Sequence, residues 1–228
     1  MKILAIETAT EACSAALLIH DTVVEQYQLA PRRQSELILP MIDELMSDAG
    51  LSVSQLDAVA FGRGPGAFTG VRLAAAVTQG IAFAADLPVL PVSTLAAMAE
   101  STLYQHEAEC VFTAIDARMK EIYWAVFNQQ DGCLQEIQTE AVLAPEQVEF
   151  PEKVCGPGVG SGWSTYADIL NAKLGQQVTG VQSEVYPRAA SVARLGMHQL
   201  NRGGGVSPEQ AIPVYLRNKV ANRSGERS

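Results

Sequence analysis

Met1-Lys2-Ile3-Leu4-Ala5-Ile6-Glu7 and, in the second half of the chain, Val111-Phe112-Thr113-Ala114-Ile115-Asp116 are apolar runs of strand length that close on the same pattern, Ala-Ile-acid. Each is followed by a short polar loop and a second apolar run, Cys13-Ser14-Ala15-Ala16-Leu17-Leu18 in one case and Ile122-Tyr123-Trp124-Ala125-Val126-Phe127 in the other. Such an internal echo predicts two related lobes, each with a strand-turn-strand unit. Glu7 and Asp116 then face one another across the lobe junction. The expected fold is α/β, each lobe a mixed sheet with flanking helices. The lobes divide at residues 1–107 and 108–228, with a terminal tail from about residue 218.

Outward from the first run, Thr22 to Leu29 continues after His20-Asp21 as a third strand of a β-meander. A helix is predicted from Ser35 to Ala49, capped by Ser35 and stopped by Gly50. Its apolar stripe of Leu37, Ile38, Met41, Ile42, Leu45 and Met46 is unusually wide, and Pro40 is expected to kink it slightly. Leu56 to Phe61 and Pro88 to Val92 read as parallel, central strands joined by a helix from Val71 to Ala85. That helix is rich in small residues, Ala74, Ala75, Ala76 and Gly80 among them, which let backbones approach closely. A further helix runs from Ser93 or Thr94 to Tyr104.

The turn into the crossover helix, Gly64-Pro65-Gly66-Ala67-Phe68-Thr69-Gly70-Val71-Arg72-Leu73, is dense in glycine. Glycine permits positive φ and close approach, and a helix start presents unpaired N–H groups, so the geometry suits an anion. No lysine follows the last glycine, and the spacing of Gly64, Gly66 and Gly70 misses the dinucleotide fingerprint. A phosphate cradle and a purely structural turn both stand. The second glycine run, Gly156 to Gly162, lacks the spacing of a nucleophile elbow and precedes a helix from about Trp163.

The 228 residues are 48% hydrophobic, ample for one large or two small cores. Apolar runs are short and interrupted and no export signal is visible, so the expected location is the cytoplasm, with no membrane partner. The four cysteines, Cys13, Cys110, Cys133 and Cys155, form no Cys-x-x-Cys and are expected to be buried thiols. A net charge of −9 opposes autonomous nucleic-acid binding. Basic residues cluster only at the C-terminus, in Arg217, Lys219, Arg223 and Arg227; a solvated tail and an RNA contact are the two readings of that cluster.

Lys2-Ile3-Leu4-Ala5-Ile6-Glu7-Thr8-Ala9-Thr10, the segment from Phe61 through Arg72, and Pro213-Val214-Tyr215-Leu216-Arg217 resemble the TsaB (YeaZ) family. The resemblance spans nearly the whole chain. It implies the actin-like (ASKHA, RNase H-like) two-lobed fold and a part in forming N6-threonylcarbamoyladenosine in tRNA. The family's implied partners are a larger TsaD-type paralogue, which carries the transferase site, and a TsaE-type ATPase. Contact with tRNA is then indirect, through the complex, and a homodimer is the alternative when the chain is alone. The implied cofactors are none for the isolated chain, with ATP or ADP entering in the complex.

The paralogue places a His-x-x-x-His metal pair one helix after the glycine segment, and the corresponding positions here are Thr94 and Met98. A hydroxyl and a thioether do not replace two imidazoles, so neither transferase nor metallopeptidase chemistry is expected. His20, His106 and His198 read as hairpin, loop and helix-face residues. The loop Thr8 to Glu11 with Glu7, Thr8, Thr10 and Asp116 offers a vestigial nucleotide or phosphate site together with Gly64, Gly66 and Gly70. The bulky loop Ala117-Arg118-Met119-Lys120-Glu121 weighs against a nucleotide; Arg118 and Lys120 suit either phosphates or ion pairs with Glu121 or Glu109. An independent ATP-binding enzyme of the sugar-kinase and actin superfamily remains the alternative to a non-catalytic subunit. For the latter, the expected partner interface is the wide helix stripe beside the alanine-rich helix: Leu37, Met41, Leu45, Ala74, Ala75 and Thr78.

Overall fold

In the computed structural model of the chain, which describes residues 1–130, 132–151 and 154–217, two five-stranded sheets repeat one topology. In the first, β1 (Lys2–Glu7), β2 (Ala12–Ile19) and β3 (Thr22–Leu29) form an antiparallel meander. Helix α1 (Gln34–Asp48) follows, then β4 (Ala58–Gly62) parallel to β1, α2 (Phe68–Ala85), and β5 (Val89–Val92) parallel to β4. The strand order is β3-β2-β1-β4-β5.

After α3 (Thr94–Gln105) the pattern recurs. β6 (Cys110–Asp116), β7 (Ile122–Gln130) and β8 (Cys133–Leu143) are the second meander, and β9 (Gly156–Val159), α4 (Ser161–Leu174) and β10 (Val178–Gln182) the second parallel unit. The order is β10-β9-β6-β7-β8, so β6 occupies the place of β1 and the Ala-Ile-acid echo marks equivalent strands. A single 3-10 turn, Pro145–Gln147, stands where the first lobe has α1. This is the two-lobed actin-like fold.

Helices cross the division at 107/108 that the strands respect. α5 (Ala189–Asn201), from the second half, lays Ala189, Val192 and Ala193 on Ile3, Ala5, Ala16, Leu18 and Leu90 of the first sheet. Conversely, Leu95, Met98 and Ala99 of α3 pack on Val111, Ile115, Ala125 and Phe127 of the second. Residues assigned to the second lobe by sequence therefore complete the first. The exchange is fastened by Arg194 on α5 and Glu100 on α3, paired at 2.5 and 3.0 Å, and by Arg63 with Glu140 at 3.2 Å.

Other local expectations need correction. β4 is interior, but β5 is the edge strand of its sheet, and beyond its pairing with β4 Val89 makes an isolated bridge to Val206. Arg33, not Ser35, occupies the cap of α1, without a side-chain cap; the helix continues through Pro40 and ends before Gly50 at φ +61°. α2 begins at Phe68, so Gly70 lies in its first turn rather than in the loop. By length and composition α2 is also apolar enough to cross a membrane, contrary to the reading of short interrupted runs. Here it lies on β4 and β1 with only 33% of its residues buried. Cys13 and Cys110 are buried, but Cys133 is half-buried and Cys155 exposed; all four are free. Lys219, Arg223 and Arg227 lie outside the described residues.

The exchange of α5 predicts that a chain ending at Pro187 loses the first lobe, although every strand of that lobe is retained. Aggregation or loss of amide protection in β1, β2 and β4 is expected. A monomeric fragment with those amides still slow to exchange would contradict the packing.

Candidate functional site

The two lobes enclose a cleft of about 990 Å³. Its walls are the β1–β2 turn (Ala9, Thr10, Glu11), the starts of α1 (Gln34, Ser35), α2 (Phe68, Thr69, Gly70) and α4 (Ser161, Ser164, Thr165), and the β6–β7 loop (Asp116 to Met119). Tyr215 and Arg217 close one side.

Glu7 does not reach this cleft. It is fully buried, with Oε1 accepting from the Ala9 N–H at 2.7 Å and Oε2 from the Thr94 hydroxyl at 3.5 Å. Its carboxylate lies against the Cα of Gly62, where any Cβ would overlap it. Desolvation by that burial pushes its pKa up from 4.5 to about 7, against the hydrogen bonds that favour the anion. Asp116, by contrast, lines the cleft, where it accepts from the Arg118 N–H at 2.8 Å and pairs with the Arg118 guanidinium at 3.0 Å. The two carboxylates thus do not face one another.

The glycine turn serves backbone packing. A Cβ on Gly70 would overlap the Thr8 carbonyl, and one on Gly66 the Ala9 carbonyl. That proximity lets the Ala67 N–H donate to Ala9 O at 2.7 Å and the Thr8 hydroxyl to Gly70 O at 2.7 Å. Gly64, at φ +100°, places its carbonyl to accept from the Thr94 N–H at 2.9 Å. Close approach of the β1–β2 turn accounts for Gly66 and Gly70, and the positive φ accounts for Gly64. Thr10 is also buried; its carbonyl accepts from the Gln34 side chain at 2.6 Å, while its hydroxyl has no partner among the described residues. The second glycine run works alike: Gly158 makes room for the Trp163 indole, whose N–H donates to Phe112 O at 3.0 Å, and Gly160 for Ala114 and Met98.

Arg118, Met119 and Lys120 all have positive φ and are exposed. Three successive non-glycine residues in this region cost on the order of 1–2 kcal/mol each. Asp116, through Arg118, and Arg217, paired with Glu121 and donating to Arg118 O at 3.4 Å, hold the loop in place. Arg118 therefore pairs with Asp116 rather than with Glu121 or Glu109; the Glu109 carboxylate accepts from the Cys155 N–H.

Thr94 and Met98 are buried, Thr94 against Glu7 and Met98 in the core beneath the second sheet. His20, His106 and His198 are exposed, at the β2–β3 turn, the end of α3 and the surface of α5 respectively. Among the described residues no cluster of three His, Cys, Asp or Glu residues forms.

The expected interface residues are mostly interior. Met41 (8% exposed), Leu45, Ala74, Ala75 and Thr78 are spent in the core between the helices and the first sheet, with Leu37 packed partly against it. What the helices show to solvent is different: Leu39 (58% exposed) on α1, and on α2 Phe83 (54%) with the small residues Ala76, Gly80 and Ala84. A second feature not anticipated is a surface stack of Phe68, Arg72 and Tyr215. The Arg72 guanidinium lies 3.6 Å from the Phe68 ring centroid, and its Nε donates to the Tyr215 hydroxyl at 2.8 Å. Sequence offered only the helical spacing of Phe68 and Arg72 as a signal.

A family model described as "TsaD: tRNA N6-adenosine threonylcarbamoyltransferase" matches residues 22–224. The chain is 41% identical to the tRNA threonylcarbamoyladenosine biosynthesis protein TsaB of Escherichia coli (strain K12), over 97% of this chain and 96% of that one. It is 40% identical to the protein of the same name from Haemophilus influenzae, over 96% and 95%. Among solved structures, YeaZ from Pseudomonas aeruginosa aligns with a TM-score of 0.87 at 42% identity, over 94% of this chain and 99% of that one.

Two outcomes follow from the buried turn. Because Glu7 holds its proton more tightly folded than unfolded, it favours folding below pH 4.5, and that contribution, about 3 kcal/mol, is lost as pH rises towards 7. Urea titrations from pH 4.5 to 7.5 should show this fall in the wild type and a flatter profile in Glu7→Gln; identical profiles would contradict it. Gly70→Ala should lower stability by about 1–3 kcal/mol through overpacking on Thr8, and an unchanged urea midpoint would show that the turn has slack.

Proposed function

The chain belongs to the TsaB family of tRNA threonylcarbamoyladenosine biosynthesis proteins, and from that premise we propose that it is a non-catalytic subunit, docking through the outer faces of α1 and α2 onto a TsaD-type transferase in the cytoplasm. A TsaE-type ATPase completes the assembly, tRNA is modified by that assembly and not by the chain alone, and any ATP or ADP is bound in the complex rather than by the chain alone.

The observation that carries this reading is the outer face of α2. Arg72 is the one charged residue in its eighteen. Ala76, Gly80 and Ala84 recur at helical spacing of four as an exposed stripe of small residues, with the half-buried Leu73 and Val77 and the exposed Phe83 at neighbouring positions. Glycine in a helix costs about 1 kcal/mol relative to alanine, yet a Cβ on Gly80 would meet nothing within 4 Å. Nothing in the chain's own fold requires that glycine. Close approach of a partner helix along the stripe supplies the reason, as ridges-into-grooves packing favours small residues at the crossing. The same pair of helices from a homologous subunit gives a pseudo-symmetric contact, and self-pairing is its homodimeric counterpart.

The absence of a catalytic role is supported by the fate of the polar groups. Glu7 is sequestered, Asp116 is engaged by Arg118, and the positions equivalent to the paralogue's imidazoles are buried as Thr94 and Met98. The cleft volume is the observation that favours independent nucleotide binding instead. That reading requires saturable Mg-ATP binding by the isolated chain, lost on Asp116→Ala.

Gly80→Arg and Phe83→Asp should leave the chain folded and reduce binding to the TsaD-type paralogue by a hundredfold or more, as expected of central contacts worth several kcal/mol. Met41→Asp should instead unfold the chain, because Met41 is interior. Light scattering on a sizing column, with circular dichroism of each variant, measures both; full-strength pairing by folded Gly80→Arg and Phe83→Asp would remove α2 from the interface.

A further inference from the structure

We propose that the mouth of the inter-lobe cleft is a contact site for unpaired RNA, with Phe68, Arg72 and Tyr215 as a base-stacking platform and Arg32, Arg118 and Arg217 beside it as phosphate contacts.

The platform is built before any ligand arrives. Phe68 and Tyr215 come from distant parts of the chain, their ring centroids 5.9 Å apart, and Arg72 joins them by a cation–π contact and a hydrogen bond. Such an arrangement usually shields aromatic surface, yet Phe68 remains 52% and Tyr215 46% exposed. The rings contribute to neither lobe's core. Exposed aromatics joined to arginine are the surface on which unpaired bases stack, because every base offers a π face.

Charge selects RNA over a second apolar protein contact. The chain as a whole carries −9, which repels a polyanion. Arg32, Arg118 and Arg217 nevertheless line the cleft, against Glu11 and Asp116, with Arg118 paired to Asp116 and Arg217 to Glu121, and Lys120 follows Arg118 on the same exposed loop. Among the described residues Arg32 and Lys120 make no ion pair. In sequence, Arg217 leads directly into a segment carrying Lys219, Arg223 and Arg227 against the single acid Glu226. Arg32, Arg118 and Arg217 thus stand at the cleft that Phe68 and Tyr215 of the Phe68–Arg72–Tyr215 stack also line. The small-residue stripe of α2 proposed for the protein partner continues from this stack along the same helix, Arg72 lying four residues before Ala76, but carries no charge beyond Arg72.

This inference rests on the reading of the chain as a subunit of a tRNA-modifying assembly. The test is fluorescence anisotropy of an unmodified tRNA transcript titrated with the chain–transferase complex, with complex formation followed separately by light scattering. Phe68→Ala and Tyr215→Ala should each weaken tRNA binding by roughly 5- to 100-fold, the range for loss of one stacked base, with the complex intact. Tyr215→Phe, which keeps the ring and loses the hydroxyl, should retain most of the affinity. Arg32→Gln with Lys120→Gln should flatten the salt dependence. Unchanged affinity in Phe68→Ala and Tyr215→Ala with the complex intact would overturn the proposal. So would loss of complex formation itself, which would make these rings protein anchors. Should the wild-type complex fail to assemble, the scaffold reading falls; the same variants titrated as isolated chains then decide the RNA contact, equal affinities overturning it.

Discussion

The exchange of inner helices between the lobes is the constraint from which the rest of the molecule follows. Each sheet has one face covered by helices from its own half and the other by a helix from the opposite half: α5 for the first sheet, α3 for the second. Apolar burial at about 25 cal/mol per Å² is the dominant favourable term, and here neither lobe can collect it alone. The pairing of Arg194 with Glu100 fixes the two helices against each other, and Arg63 with Glu140 is a second link between the halves.

Within that frame, features that resemble a nucleotide site are turned inward. The glycines that elsewhere admit a phosphate here admit the Thr8 and Ala9 carbonyls. The first acidic residue of the duplicated pattern is enclosed and raised to a pKa of about 7, while the second is committed to Arg118. Buried polar groups are costly unless paired, and nearly all those of the β1–β2 turn are paired with the chain itself. What the surface retains is an apolar helix face and an aromatic–arginine stack at the cleft.

Much of this was legible in the sequence. The Ala-Ile-acid repeat identifies β1 and β6 as equivalent strands, because strand-length apolar runs with matching loops leave few alternatives, and the glycine turn announces close approach. The partner of that approach was not legible, since Gly66 and Gly70 say only that a Cβ is excluded. The outward face of α1 and α2 was misread for a related reason. α2 is apolar on all sides, so periodicity does not distinguish Ala75, which is buried, from Phe83, which is exposed. The helix exchange was hidden too: amphipathicity shows that α5 has a buried face, not whose sheet it covers. The Phe68–Arg72–Tyr215 stack depends on contacts across most of the chain's length, which no local pattern reports.

Hydrogen–deuterium exchange of the chain alone and mixed with the TsaD-type paralogue proposed as its partner is the most direct test of the account. The account predicts slower exchange along α1 and α2 on binding, with the β1–β2 turn and the β6–β7 loop unchanged in the absence of RNA and nucleotide. Protection of those two cleft loops, with α2 exchanging as in the free chain, would contradict it and move the partner surface into the cleft.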